Sequence, residues 1–251
     1  MRAITNAFIC VLIFFNAPLE AAPKIHFTDY RVLLTSSESI KDYQIFNQGN
    51  RDAYCSTQVI DHNVSDSGKL SLAQKNNRPA TSAANIIRVS PRRVLVSAMS
   101  NQKVKVVARK IRNLPKGEWV GYLSLRCKEH TPSLEKGVQV SPNFVFNIPV
   151  VVRNGELEVS ASLSQPQLSK RNGKLFANIK LNRRGERSLY GNLVVFDDNG
   201  ILAQQKGISH YLQSSTIQLA LPLKQAPKGA VTFKFVEQKQ FGGDLELIHV
   251  L

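Results

Sequence analysis

From Val138 to Val152 every even position is apolar or proline: Val138, Val140, Pro142, Phe144, Phe146, Ile148, Val150 and Val152. Most of the odd positions between them are polar, with Gln139, Ser141, Asn143 and Asn147 in the set and Arg153 closing it. A period of two sends one set of side chains to each face of a β-strand, so the even set forms one apolar row. At ~3.3 Å per residue the row runs about 50 Å, whereas an ordinary strand has ~5–6 residues. Pro142 and Pro149 differ in parity, so they remove backbone donors on opposite sides of the strand. A strand of this kind is not central over its whole length. The pattern leaves two readings open. One is a core strand interrupted near Pro142. The other is an edge that pairs with a strand from another chain, since a long apolar edge is otherwise an aggregation hazard.

The rest of the chain is also patterned as strand and turn. In the first half the periodicity predicts strands over Ile25–Thr35, Tyr43–Phe46, Ala53–Ile60, Asn85–Val89, Val94–Ala98, Val104–Ala108 and Trp119–Cys127, ahead of the Gly137–Arg153 stretch. Turn-forming clusters such as Asn47–Asn50 and Ser65–Gly68 separate them. After Arg153-Asn-Gly155 a second string follows: Leu157–Leu163, Leu175–Leu181, Leu189–Phe196, Ile201–Gln205, Thr216–Leu221, Val231–Glu237 and Leu245–Val250. Asp197-Asp-Asn-Gly200 supplies a hairpin turn, because Asn-Gly tolerates positive φ at both centres. Long amphipathic helical patterns are absent. Short strands at this spacing predict an all-β protein built as sandwiches, and two of about 130 and 100 residues fit domain sizes better than one.

Residues 1–21 read as a secretory leader. Arg2 is its positive start, Ala7–Phe15 an apolar stretch too short to span a bilayer, and Ala21 the residue before the cut. The expected division is therefore 1–21 leader, 22–153 first domain and 154–251 second domain. No other apolar run reaches membrane-spanning length, so the exported chain is expected to be soluble. Cys10 leaves with the leader. Cys55 and Cys127 remain, both in strand-like segments of an exported chain, and a disulfide between them is expected.

The charge is +15. Such basicity suits a polyanion, an anionic membrane surface or an acidic protein, and equally a plain solvated surface. The cations are scattered, with short pairs at Arg92-Arg93 and Arg183-Arg184, and no stacking aromatics are interleaved with them. Nucleic acid is therefore not an expected partner. His26, His62, His130, His210 and His249 form no zinc motif, there is no nucleophile elbow, and no glycine-rich phosphate loop is present. Neither an enzyme nor a metal or cofactor site is expected.

Several short motifs, in order, resemble the periplasmic pilus-assembly chaperones of the PapD-like family along nearly all of the chain after the leader. They are Tyr30-Arg-Val-Leu-Leu-Thr35, Tyr43-Gln-Ile-Phe-Asn47, Ile87-Arg-Val-Ser-Pro-Arg-Arg-Val94, Leu114-Pro-Lys-Gly-Glu-Trp119 and Asn147-Ile-Pro-Val-Val-Val-Arg153. Leu181–Gly191 and Ile148-Pro-Val are similar to the archaic branch of that family. The resemblance implies two immunoglobulin-like sandwiches at an angle with a cleft between them, and a periplasmic location. It also implies donor-strand complementation: the chaperone lends a strand to a pilin subunit that lacks one, then delivers it to an outer-membrane usher. On that reading Val138, Val140, Phe144 and Phe146 are the apolar knobs of the lent strand, while Ile148–Arg153 ties into the first domain.

The family also holds the subunit's C-terminal carboxylate with cations in the cleft. Arg31 falls on the family's first-strand arginine, and its N–H fork matches both carboxylate oxygens. Pro149 stands where the P-pilus type has a lysine. Arg153 shares the parity of Pro149, so it is either the second anchoring cation or a brace between the domains. The alternative function is a secreted β-sandwich adhesin or surface-binding module whose basic face meets polysaccharide or lipid headgroups. Self-association through the exposed edge strand stays open as well.

Overall fold

In a computed structural model of the protein, residues 22–65, 69–74, 76–130 and 143–251 are described. The expected leader and the donor positions Val138 and Val140 lie outside them. The first half contains β1 (Ile25–Phe27), β2 (Val32–Thr35), β3 (Ile40–Asn47), β4 (Ala53–Ile60), β5 (His62–Val64), β6 (Leu70–Leu72), β7 (Ile87–Ser90), β8 (Arg93–Val96), β9 (Ser100–Ala108), β10 (Gly117–Glu129) and β11 (Asn143–Asn154). The second half contains β12 (Val159–Arg171), β13 (Lys174–Gly185), β14 (Leu189–Asp197), β15 (Gly200–His210), β16 (Thr216–Pro222), β17 (Thr232–Glu237) and β18 (Glu246–Val250). Among the described residues the helices are two single 3₁₀ turns, and no helix is long and apolar enough to cross a membrane.

Each half is a sandwich. The first packs the sheet β1-β3-β9-β7 on the sheet β2-β11-β10-β4-β8; the second packs β12-β13-β16 on β15-β14-β17-β18. Each has its own core. Ile45, Val104, Val106, Leu123, Leu125, Ile148, Val150 and Val152 lie in the first, and Ile179, Leu181, Leu193, Val195, Phe233 and Phe235 in the second. These residues alternate along their strands because the pleat turns every second side chain inward. A small third cluster of Val120, Tyr122, Val151 and Tyr211 joins the two halves.

Cys55 and Cys127 stand opposite one another in the β4–β10 register and are bonded. The bridge therefore joins neighbouring strands of one sheet across a sequence separation of 72 residues. In the chain-entropy model a loop of that size stabilises by about 4 kcal/mol.

Two local expectations are corrected and one hairpin is added. The strand expected over Ile25–Thr35 is two strands in opposite sheets, β1 against β3 and β2 against β11. The reason lies in its parity: Phe27 is odd and Val32 and Leu34 are even, yet all three are buried. One continuous strand would turn either Phe27 or the other two away from the core. The chain instead crosses between sheets at Thr28–Arg31. The two three-residue strands β5 and β6, which were not expected, pair as a small antiparallel hairpin. In the hairpin at Asp197–Gly200 only Gly200 takes positive φ, at 123°; both centres are positive at Asn172-Gly173, with φ of 47° and 77°. That second turn lets β12 and β13 run well beyond the segments 157–163 and 175–181 expected for them.

Candidate functional site

The chemistry of the molecule concentrates where β11 meets the junction of the two sandwiches. From Asn143 to Asn154 β11 pairs antiparallel with β10. Its other side is paired only from Val150 to Arg153, in parallel with Val32–Thr35 of β2. Over Asn143–Pro149 that side has no strand beside it among the described residues. The same strand is thus an edge in its first half and internal in its second, and Pro149 stands one residue outside the β2 ladder. A proline at the boundary of a ladder leaves that ladder complete.

Burial follows the same division. Ile148, Val150 and Val152 lie in the first core, while Phe146 is half-buried against it, its ring edge-to-face with Phe27 at 4.8 Å. Phe144 is half-buried, and Val145 on the opposite face is 47% exposed. The apolar row therefore runs out of the core and along the open edge. Of the expected donor positions, Phe144 lies on the open segment and is partly exposed, and Phe146 is partly engaged within its own domain.

Arg31 sits at the crossing between β1 and β2, immediately before the β2 ladder begins. It is 1% exposed. Its Nη2 donates to Ser188 Oγ at 2.7 Å and its Nη1 to Ser209 Oγ at 3.4 Å, both in the second domain. The guanidinium also lies over the rings of Tyr190 and Tyr211, at 4.9 and 5.9 Å from their centroids. Its Nε is buried without a partner, and among the described residues no carboxylate pairs with it. Hydroxyls and ring faces attract a cation but carry no net charge, so the positive charge stays uncompensated in a desolvated place. Tyr122, Asn147, Pro149, Tyr190, Ser209 and Tyr211 line an adjoining cleft of about 570 Å³. Arg31 thus lies behind the wall of a cleft that also reaches the open half of β11. Burial pushes the phenols of Tyr122 and Tyr190 above their ordinary range.

Arg153 is held quite differently. Its Nε donates to Glu118 Oε2 at 2.7 Å. Its Nη1 donates to the carbonyls of Phe241 and Gly242, and its Nη2 to the carbonyl of Ser188. The other oxygen of Glu118 accepts from the Ser188 backbone N–H at 3.0 Å. Burial draws the Arg153 guanidinium below its usual range while Glu118 works in the opposite direction. Arg153 therefore ties the end of β11 to the second domain, with four of the five N–H donors of its fork engaged inside the protein. Gly242 makes this approach feasible: it has φ 70°, and a Cβ there would stand 2.8 Å from Arg153 Nη1.

Two more buried arginines complete the junction. Arg187 pairs with both oxygens of Glu237 at 2.8 and 2.9 Å. Arg183 donates to four main-chain carbonyls, those of Gly185, Arg187, Leu212 and Ser214. Close to Arg183, His210 is driven down to about 4 by burial first and by the Arg183 charge second. The junction thus buries the cations Arg31, Arg153, Arg183 and Arg187 against the carboxylates of Glu118 and Glu237.

Glu118, Ser188, Ser209, Tyr190 and Tyr211 were not singled out in the sequence. Two of them do lie within the motif Leu181–Gly191, whose Ser188 and Tyr190 are partners of Arg31. Glu118 lies in Leu114–Trp119. The motifs carried the residues, but their pairing depends on how two domains meet.

No protein-family model matches the chain, and no curated protein does. Solved structures do resemble it. The CsuC chaperone, crystallised in a pre-assembly complex with the CsuE tip adhesion subunit of Acinetobacter baumannii archaic Csu pili, is 14% identical; the alignment covers 90% of this chain and 98% of that one, with a TM-score of 0.47. The SafB chaperone in complex with the SafA pilin of Salmonella enterica is 13% identical, over 91% and 96% of the two chains, with a TM-score of 0.47. The E. coli chaperone DraB is 14% identical, over 91% and 98%, with a TM-score of 0.46. At such identities and TM-scores the function of this chain has to be argued from its own residues.

Proposed function

We propose that the chain is a periplasmic chaperone that caps pilus or fimbrial subunits by donor-strand complementation and delivers them to an outer-membrane usher. The observation that carries this reading is Arg31. It is a buried cation without a carboxylate partner among the described residues, placed where the ladder of β2 ends and the open edge of β11 begins. A strand entering on Asn143–Pro149 lies in line with β2, and its end abuts Arg31. A C-terminal carboxylate there neutralises the guanidinium and satisfies its unpartnered nitrogen. The direction follows from the register: a chain whose C-terminus lies beside Pro149 and whose preceding residues lie toward Asn143 runs parallel to β11. Main-chain bonds supply affinity, and the row continued by Phe144 and Phe146 supplies apolar contact for the subunit's open core. In this reading Arg31 carries the anchor, Arg153 braces the domains that form the cleft, and Val138 and Val140 extend the apolar row.

Co-expression of the chain with a candidate subunit, followed by mass determination of the purified complex, tests the proposal. Phe144→Asp and Arg31→Ala are each expected to remain folded and to abolish co-purification. Normal subunit yield from both variants refutes the donor-strand reading.

A further inference from the structure

The outward face of the three-stranded sheet β12-β13-β16 differs in chemistry from the rest of the surface. Ala177, Ile179 and Leu181 of β13 and Ile217, Leu219 and Leu221 of β16 point into the second core. The alternate positions therefore face outward. On β12 the irregularity between Ser164 and Gln167 shifts the parity, so the outward residues are Ser160, Ser162 and Ser164 before it and Gln167, Ser169 and Arg171 after it. Across the sheet they form rows: Arg171–Lys174, Gln167–Asn178–Ala220, Ser164–Lys180–Gln218 and Ser162–Asn182–Thr216, with Ser160–Arg184 at the far end.

None of the three strands contains an aspartate or glutamate. The face carries Arg171, Lys174, Lys180 and Arg184, and no ion pair engages any of them among the described residues. The nearest acids in sequence, Glu158 and Glu186, lie beyond the strand ends, and Glu186 is paired with Lys116 at 2.9 Å. From Lys174 to Arg184 the cations extend over about 33 Å of strand at ~3.3 Å per residue. Between them runs a fixed ladder of amides and hydroxyls. Asn178, 3% exposed, donates to Ser169 Oγ and the Gln167 carbonyl, and Arg171 donates to its Oδ1. Asn182 donates to Ser164 Oγ at 2.8 Å and accepts from Thr216 Oγ1 at 3.0 Å. These bonds hold the polar groups in place before any ligand arrives, which lowers the ordering cost of binding.

We propose that this face binds an anionic polysaccharide, its cations meeting carboxylate or sulfate groups along the chain and its hydroxyls and amides meeting sugar hydroxyls. The composition of the face separates this from other polyanions. Phe176 is half-buried beneath Arg171, at 5.7 Å, so no row of free rings is offered for stacking nucleobases. The remaining apolar residues on the face, Ala220 and Pro222, are too small to insert into a bilayer. The surface lies on the second sandwich and is independent of the cleft at Arg31.

Titration of the purified protein with alginate, a polyuronate, tests the assignment, with neutral dextran as the control. Lys180→Gln combined with Arg184→Gln is expected to weaken alginate binding about tenfold, through the loss of two surface ion pairs. Arg92→Gln combined with Arg93→Gln removes the same charge from the first sandwich and is expected to leave the affinity unchanged. Gln218→Ala removes no charge and is expected to weaken binding about threefold through a lost hydrogen bond. Equal losses in the two charge-removing pairs, or no effect of Gln218→Ala, overturn the proposal in favour of unspecific ion attraction. Tighter binding to single-stranded DNA or to phosphatidylglycerol vesicles than to alginate overturns it as well. Thermal unfolding of each variant separates lost binding from lost fold.

Discussion

Arg31 and Arg153 are buried on either side of Ser188, and their surroundings are opposite in kind. Ser188 accepts from Arg31 through its hydroxyl and from Arg153 through its carbonyl, and gives its own N–H to Glu118. Arg153 has a carboxylate at 2.7 Å and three carbonyls, so its charge is neutralised inside the protein. Arg31 has two hydroxyls and two ring faces, and no carboxylate pairs with it among the described residues. Two buried arginines can thus differ in whether an internal anion neutralises them, and it is this difference that the proposed function assigns to bracing and to anchoring. Arg183 is intermediate, held by the partial charges of main-chain carbonyls, and its field adds to the burial that lowers the pKa of His210.

The sharpest way to break this contrast is Arg153→Ala, which leaves Glu118 buried without its partner. A loss of about 3–5 kcal/mol in unfolding free energy is expected by chemical denaturation. A loss under about 1 kcal/mol contradicts the bracing role. The intermediate case is read through pH. His210 has its pKa lowered from 6.5 to about 4 in the folded protein, so the unfolded chain takes up a proton first as pH falls. Its contribution is complete above about 6.5 and disappears as pH drops toward 4, amounting to about 2 kcal/mol at most by pH 5. His210→Gln should flatten that part of the stability–pH curve; an unchanged curve contradicts the assignment. The smallest effect is expected at Arg31. Arg31→Met removes an uncompensated charge and keeps the length of the side chain, so stability should change by no more than about 1 kcal/mol. Denaturation of this variant beside Arg153→Ala measures the contrast directly, and equal losses would erase it.

Much of the fold was legible because alternation reports directly on which face of a strand is buried. The strands of both halves stand in the period-two pattern, which left the Phe144 stretch open between an interrupted core strand and an edge; the pairing of Cys55 with Cys127 followed instead from two cysteines remaining in a chain read as exported. Ile25–Thr35 reads as one strand because apolar residues recur along it, although the parity change between Phe27 and Val32 is already visible in the sequence. The β5–β6 hairpin was missed because three-residue strands are too short to show a period. Arg31 was singled out through a family resemblance, and no local pattern marks it: a lone arginine between two short strands looks like any surface cation. The acid-free stretch of β12 and β13 was present in the sequence, but a list of charges does not tell which of them share a face.

By itself the sequence determined the fold class, the division into two strings of strands and the apolar row ending at Val152, since each depends on spacing along one chain. The tertiary structure decided that β11 is internal at Val150–Arg153 and open at Asn143–Pro149, because the pairing of β2 depends on where the chain crosses between sheets. It also decided which arginine is neutralised. Glu118 is 35 residues from Arg153 and reaches it across the β10–β11 pair, whereas Arg31 meets hydroxyls 157 and 178 residues away. Compensation of a buried charge is a short-range matter of a few ångströms, decided for Arg153 by the β10–β11 register and for Arg31 by how the two halves dock.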